Sequence, residues 1–63
     1  MTDDELRRLR HDMNTPLTIV SGFSEVLAAD KPISDDARRD YAARIHAAAD
    51  ELRVMIDALL KAA

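Results

Sequence analysis

Sixty-three residues with a net charge of −3 and no cysteine make one domain at most, and a chain this short buries only about 60% of its unfolded surface. Disulfides and thiolate metal sites are excluded, His11 and His46 are too far apart in sequence to suggest a ligand cluster, and the basic residues alternate with acids instead of forming the block that nucleic acid requires. Self-association remains as the source of added stability, around a core that one Phe, one Tyr and no Trp make aliphatic.

The first element opens at Thr2, three residues before Glu5, a capping-box spacing with Asp3 and Asp4 at the positive end of the helix dipole. This acidic start is unlike a targeting segment, and the apolar runs fall far short of the ~20 residues that cross a bilayer. Both point to a cytoplasmic chain or piece of one. Leu6, Leu9, Met13, Pro16, Val20, Phe23 and Leu27 recur at spacings of three and four, with Leu17 widening the stripe. Asp30-Lys31-Pro32 breaks the pattern. Ser34 caps a second helix, on which Tyr41, Ile45, Ala48, Leu52, Met55, Leu59 and Ala62 form a heptad stripe broadened by Ile56 and Leu60. The spacing predicts helix 1 over about 3–29, a turn over about 30–33 and helix 2 over about 34–62. A turn so short makes the helices antiparallel. Each apolar stripe is wider than one partner covers, so the expected architecture is all-α: a hairpin that pairs with a second copy into a homodimeric four-helix bundle.

His11 falls opposite the core stripe of helix 1. Along its face follow Thr15, Thr18, Gly22, Glu25 and Ala29, a small and polar row that admits close approach of another protein. A neutral imidazole is a nucleophile toward a phosphoryl group when a carboxylate manages its proton. Asp12 is the adjacent acid, about 100° round the helix, and reaches the imidazole only by folding back along the surface. Thr15 lies one turn on, where its hydroxyl would hold a water near a phosphoryl group. Pro16 removes a helix donor at a cost of about 3 kcal/mol and predicts a bend just after His11. Gly22 in a helix interior costs about 1 kcal/mol against Ala.

Each feature also has an ordinary reading. A lone exposed histidine on a helix is usually inert. Thr15-Pro16 is also a normal helix start, which would make residues 1–14 a separate short helix or a frayed arm. His46, beside the core position Ile45, reads as a boundary residue, and Met13 and Met55 as core filling.

Taken together, His11-Asp12-Met13-Asn14-Thr15-Pro16-Leu17 resembles the H-box of sensor histidine kinases, in the dimerisation and histidine-phosphotransfer domain of the HisKA type. The resemblance covers nearly the whole chain, residues 1–63. It implies that His11 is the phosphoacceptor, Asp12 the acid that activates it, Thr15 the polar residue associated with phosphatase activity and Pro16 the helix-bending proline. It also implies that the segment from Thr18 to Leu27 contributes to docking of the response regulator, with Thr18, Gly22 and Glu25 on the small-residue face.

The resemblance further implies partners: a second copy of the chain, a separate ATP-binding kinase domain and a response-regulator receiver domain. ATP and magnesium would be bound by that catalytic domain. No cofactor or metal is expected here, since Gly22 is the only glycine and no nucleotide loop is present. Autonomous kinase activity is therefore not expected. Ala62-Ala63 falls where a linker to a catalytic domain would begin, which favours an excised piece of a kinase over a free-standing phosphotransfer bundle. Two readings of another class stand beside this one: a non-catalytic dimerisation or adaptor hairpin, and an inhibitor that docks on a kinase or regulator.

Overall fold

The computed structural model describes residues 1–62 as two helices, α1 (Asp3–Ala28) and α2 (Asp35–Ala62), with no strand among the described residues. Ala63, half of the expected linker start, lies outside the described residues. Both halves of the α1 capping box are formed. The Glu5 backbone N–H donates to Thr2 Oγ1 at 3.2 Å, and the Thr2 N–H donates to Glu5 Oε1 at 3.2 Å. α1 ends where Ala29 turns to extended backbone while its N–H still donates to the carbonyls of Glu25 and Val26. Ser34 then restarts the chain as a helix, accepting the Ala37 N–H on Oγ at 3.1 Å and the Arg38 N–H on its carbonyl at 3.0 Å. The connection contains no glycine and no residue with a positive φ.

α1 runs unbroken through Pro16, so the alternative in which Thr15 and Pro16 start a fresh helix does not hold. The apolar register on either side explains why. Leu9, Met13, Pro16, Val20 and Phe23 all turn toward α2, and packing along that continuous stripe outweighs the missing hydrogen bond at proline. Pro16 is itself the deepest side chain of the hairpin, and across from it only Ala48 is buried on α2. Phe23 and Tyr41 meet between the helices with ring centroids 5.0 Å apart, and the Arg44 guanidinium lies over the Phe23 ring at 5.6 Å. A cation over an aromatic face is attractive, so Arg44 ties α2 to α1 near the closed end.

The hairpin measures 46 × 19 × 12 Å. Its thinnest dimension is about one helix diameter, so it has a seam and no interior. Its accessible surface is 5261 Å², roughly 30% more than the ~4,000 Å² expected of a compact 7.0 kDa monomer. Several large apolar side chains contribute to it, on both flanks, with Val26 (45% exposed) and Val54 (68%) on one and four residues on the other. Leu6 (50% exposed) and Leu17 (45%) lie about 80–100° round α1 from Pro16, and Ile56 (44%) and Leu60 (67%) lie about 80–120° round α2 from Ala48 in the same sense. In antiparallel helices the same sense leads to the same side, so all four share one flank. The sequence stripe placed Leu6 in the core; within one hairpin it is half exposed, because it lies about 80° round α1 from the seam.

Replacing Ile56 by glutamate is expected to weaken dimerisation by about a hundredfold or more, since an apolar side chain is worth ~1.5–3 kcal/mol of burial and twofold symmetry counts it twice. Val54, on the opposite flank and 68% exposed, is the control. Sedimentation equilibrium should show monomer for Ile56→Glu and dimer for Val54→Glu, and a dimer in both would place the interface elsewhere.

Candidate functional site

His11 stands on the exposed side of α1, away from Pro16 and α2. Helical geometry gives it four lateral neighbours at about 5–6 Å between Cβ atoms: Arg7 and Arg8 one turn before it, Asn14 and Thr15 one turn after. The backbone of this turn is altered by Thr15-Pro16. The Thr15 hydroxyl donates to the His11 carbonyl at 3.4 Å, while Pro16 has no N–H to give the Asp12 carbonyl. One carbonyl therefore gains a donor and its neighbour loses one, within the turn that carries the histidine. Thr18 repeats the back-bond to Asn14 at 2.8 Å, and Ser24 does the same to Val20. Such bonds keep small hydroxyls folded against the helix.

The structure does not bring all of the site residues together. Asp12 makes no hydrogen bond to the imidazole among the described residues; it lines a groove with Arg8 and Leu9 of α1 and Met55, Ala58 and Leu59 of α2. Thr18, Gly22 and Glu25 do converge, in one shallow depression that includes Asn14, Leu17 and Ser21. Thr18 and Gly22 also border a second, almost wholly apolar depression with Ile19, Phe23 and Val26. Ile19 and Phe23 continue it across the seam to Arg44, Ala47 and Glu51. The contribution of α2 to this surface was not drawn from the sequence; Arg44 there also pairs with Asp40, four residues before it, at 3.0 Å.

His46 corrects its expected place. It is not a boundary residue, because its side chain is 79% exposed, and it has an acid one turn on, Asp50, at 3.3 Å from Nε2. Its other neighbours at three and four residues are Ala42, Ala43 and Ala49. The two histidines thus sit in unlike surroundings, and only His11 adjoins the proline and the paired depressions. Among the described residues no group of three or more His, Asp or Glu side chains is placed to hold a metal ion, and no helix is long and apolar enough to cross a membrane.

The model of the His Kinase A (phospho-acceptor) domain family matches residues 1–63. The chain belongs to the HisKA family. HisKA domains sit in histidine kinases, the phosphotransfer proteins of two-component signalling, and form four-helix bundles on dimerisation. That accounts for the apolar flank of Leu6, Leu17, Ile56 and Leu60. Relatives include the cell-division control histidine kinase PdhS of Brucella ovis, Brucella suis and Brucella abortus, each 37% identical over 57 residues. The match takes in 87% of this HisKA chain and 6% of each relative. No solved structure gives a significant match.

Gly22 is open to a direct test. A Cβ built there meets nothing within 4 Å, so the hairpin itself has no steric need for glycine. Gly22→Ala is expected to stabilise the domain by up to about 1 kcal/mol, a rise in melting temperature of about 4–8 °C by circular dichroism. An unchanged or lower melting temperature would mean that the fold, not an external contact, requires the glycine.

Proposed function

We propose that this HisKA domain receives a phosphoryl group on His11 from a separate ATP-binding kinase domain and relays it to an aspartate of a response-regulator receiver domain. The observation that carries the reading is the placement of His11. It is exposed on the outer side of α1, one turn before Thr15-Pro16 and on the same side as the depression that gathers Thr18, Gly22 and Glu25.

The unprotonated imidazole nitrogen attacks the γ-phosphorus of ATP. An N–P bond forms as the bond from phosphorus to the bridging oxygen breaks, and the electron pair leaves with ADP. The proton on the other ring nitrogen passes to Asp12, which must swing from its groove toward the imidazole; its side chain is exposed and not hydrogen-bonded to His11. Pro16 helps by leaving the Asp12 carbonyl without a helical donor, so that this turn tilts or bends more readily than a fully bonded one. Nucleotide and magnesium belong to the separate catalytic domain.

In the relay step an aspartate oxygen of the receiver attacks the phosphorus, the N–P bond breaks and its electron pair returns to the imidazole. The receiver would dock below His11, where Thr18 and Gly22 keep the α1 surface low between the two depressions. A glycine that costs helix stability without filling any internal need supports a close external contact there. Thr15 would serve the reverse signal: released from the His11 carbonyl, its hydroxyl orients a water for hydrolysis of the aspartyl phosphate. All of these partners meet the domain in the cytoplasm.

Mixing the chain with a cognate catalytic domain and labelled ATP should give acid-labile label on the wild type and none on His11→Gln. Equal labelling of both would end the phosphoacceptor reading and favour a non-catalytic dimerisation or adaptor hairpin. Tight binding of a receiver by a chain that never carries label would favour an inhibitor.

A further inference from the structure

On α2, Arg38, Arg44 and Arg53 each have an aspartate within 2.9, 3.0 and 3.6 Å, while Arg39 and Lys61 have no ion pair among the described residues. On α1 all three basic residues fall at Arg7, Arg8 and Arg10, and the last turn, where the helix dipole favours cations, has none. Acids stand one turn away, Asp3 and Asp4 before Arg7, and Glu5 before and Asp12 after Arg8, yet few of these neighbours form ion pairs. Arg7 reaches Asp4 only at 4.0 Å, with both side chains at least 80% exposed, and Arg8 and Arg10 have no ion pair among the described residues. The three guanidinium groups of α1 thus lie within four residues of His11, interspersed with Asp3, Asp4, Glu5 and Asp12 but joined to them by only one long ion pair among the described residues.

The direction of helical side chains decides which arginines matter. Each leans toward the N-terminus and covers the turn before its own Cα, so the imidazole of His11 lies over the turn that carries Arg7 and Arg8. These flank it about 40° and 60° to either side, whereas Arg10 lies about 100° away. Asp12, next to His11, lies one turn on from Arg8 and lines a groove with Arg8 and Glu5, so the carboxylates of Asp12 and Glu5 stand near one arm of this pair. α2 packs behind α1 and places no charge beside the imidazole. His46 supplies the contrast, since its four lateral positions hold three alanines and Asp50, with no cation.

We propose that Arg7 and Arg8 form a cationic clamp that holds the dianionic phosphoryl group on His11, pairing with its oxygens and fixing its orientation. The clamp rests on the phosphoacceptor reading of His11 and adds to it the residues that retain the group between receipt and relay. Guanidinium groups suit this task because they remain charged and present forked donors to phosphate oxygens. Asn14 and Thr15 close the far side without charge.

The test uses the intact chain and potassium phosphoramidate, which needs no catalytic domain. The imidazole nitrogen forms its bond to phosphorus as the donor's own P–N bond breaks; ammonia leaves with that electron pair, and the surplus imidazole proton goes to buffer. Phosphorus NMR then follows the titration of each phosphohistidine, assigned with His11→Gln and His46→Gln. Nearby cations favour the dianion and lower its titration midpoint. The Arg7→Gln/Arg8→Gln double variant should therefore raise the His11 midpoint by about half a pH unit and leave the His46 midpoint unchanged. The difference should fade in 1 M salt, where the screening length is about 3 Å. Arg39→Gln, which removes the same charge at a remote point of α2, should move neither signal. An unmoved His11 midpoint in the double variant, or an equal shift in Arg39→Gln, overturns the clamp and leaves the phosphoacceptor reading standing. Labelling of His46 with none on His11 in the wild type overturns both.

Discussion

A hairpin one helix thick has a seam to close but no volume to fill, and the rest of this domain follows from that constraint. Two helices touch along one line, so among the described residues only those nearest it, Pro16 and Ala48, are buried, while the flanking apolar side chains stay half in water. Leu6, Leu17, Ile56 and Leu60 form an apolar flank that the hairpin alone does not cover, and HisKA domains form four-helix bundles on dimerisation. The same constraint divides the surface of α1. One side packs on the seam, one flank exposes apolar side chains, and the remainder carries the polar residues around His11.

Proline at the centre of such a seam joins stability to chemistry. The ring of Pro16 is the best-buried group of the hairpin, so its missing N–H is offset by packing. The consequence is felt on the far side of the helix, where the Asp12 carbonyl goes without its donor and the His11 carbonyl takes one from the Thr15 hydroxyl. The backbone of the histidine turn is thus held differently from the turns on either side. The turn is locally weakened while the helix as a whole stays docked on α2.

Below the histidine, the surface is shaped by what is left out. Thr18 and Ser24 fold their hydroxyls back onto the helix, Gly22 has no side chain, and depressions open on both sides of that row. Arg44, held by Asp40 and the Phe23 ring, stands as a charged wall across the seam. The result is a low strip of α1 bordered by apolar and charged features, and it reads as a docking surface more readily than an evenly charged helix face would.

The two helices, their caps and the heptad stripe were legible in the sequence because each depends on residues within one or two turns of one another. Thr2 with Glu5, and Ser34 with Ala37, are local hydrogen bonds that spacing alone reveals. The HisKA family was legible for the same reason, since the resemblance rests on seven consecutive residues. The tertiary structure decided what spacing leaves open. It carried α1 through Pro16, since only packing against α2 stabilises a helix across a proline. It left Leu6 half exposed and moved His46 from the boundary to the surface, since burial depends on where the second helix lies. It also turned Asp12 into a groove with α2 instead of onto His11, and set Arg44 over Phe23, a contact between residues far apart in the chain. Local spacing, in short, determined the helices and the residues of the box, and the meeting of α1 with α2 determined which of their faces remained available for function.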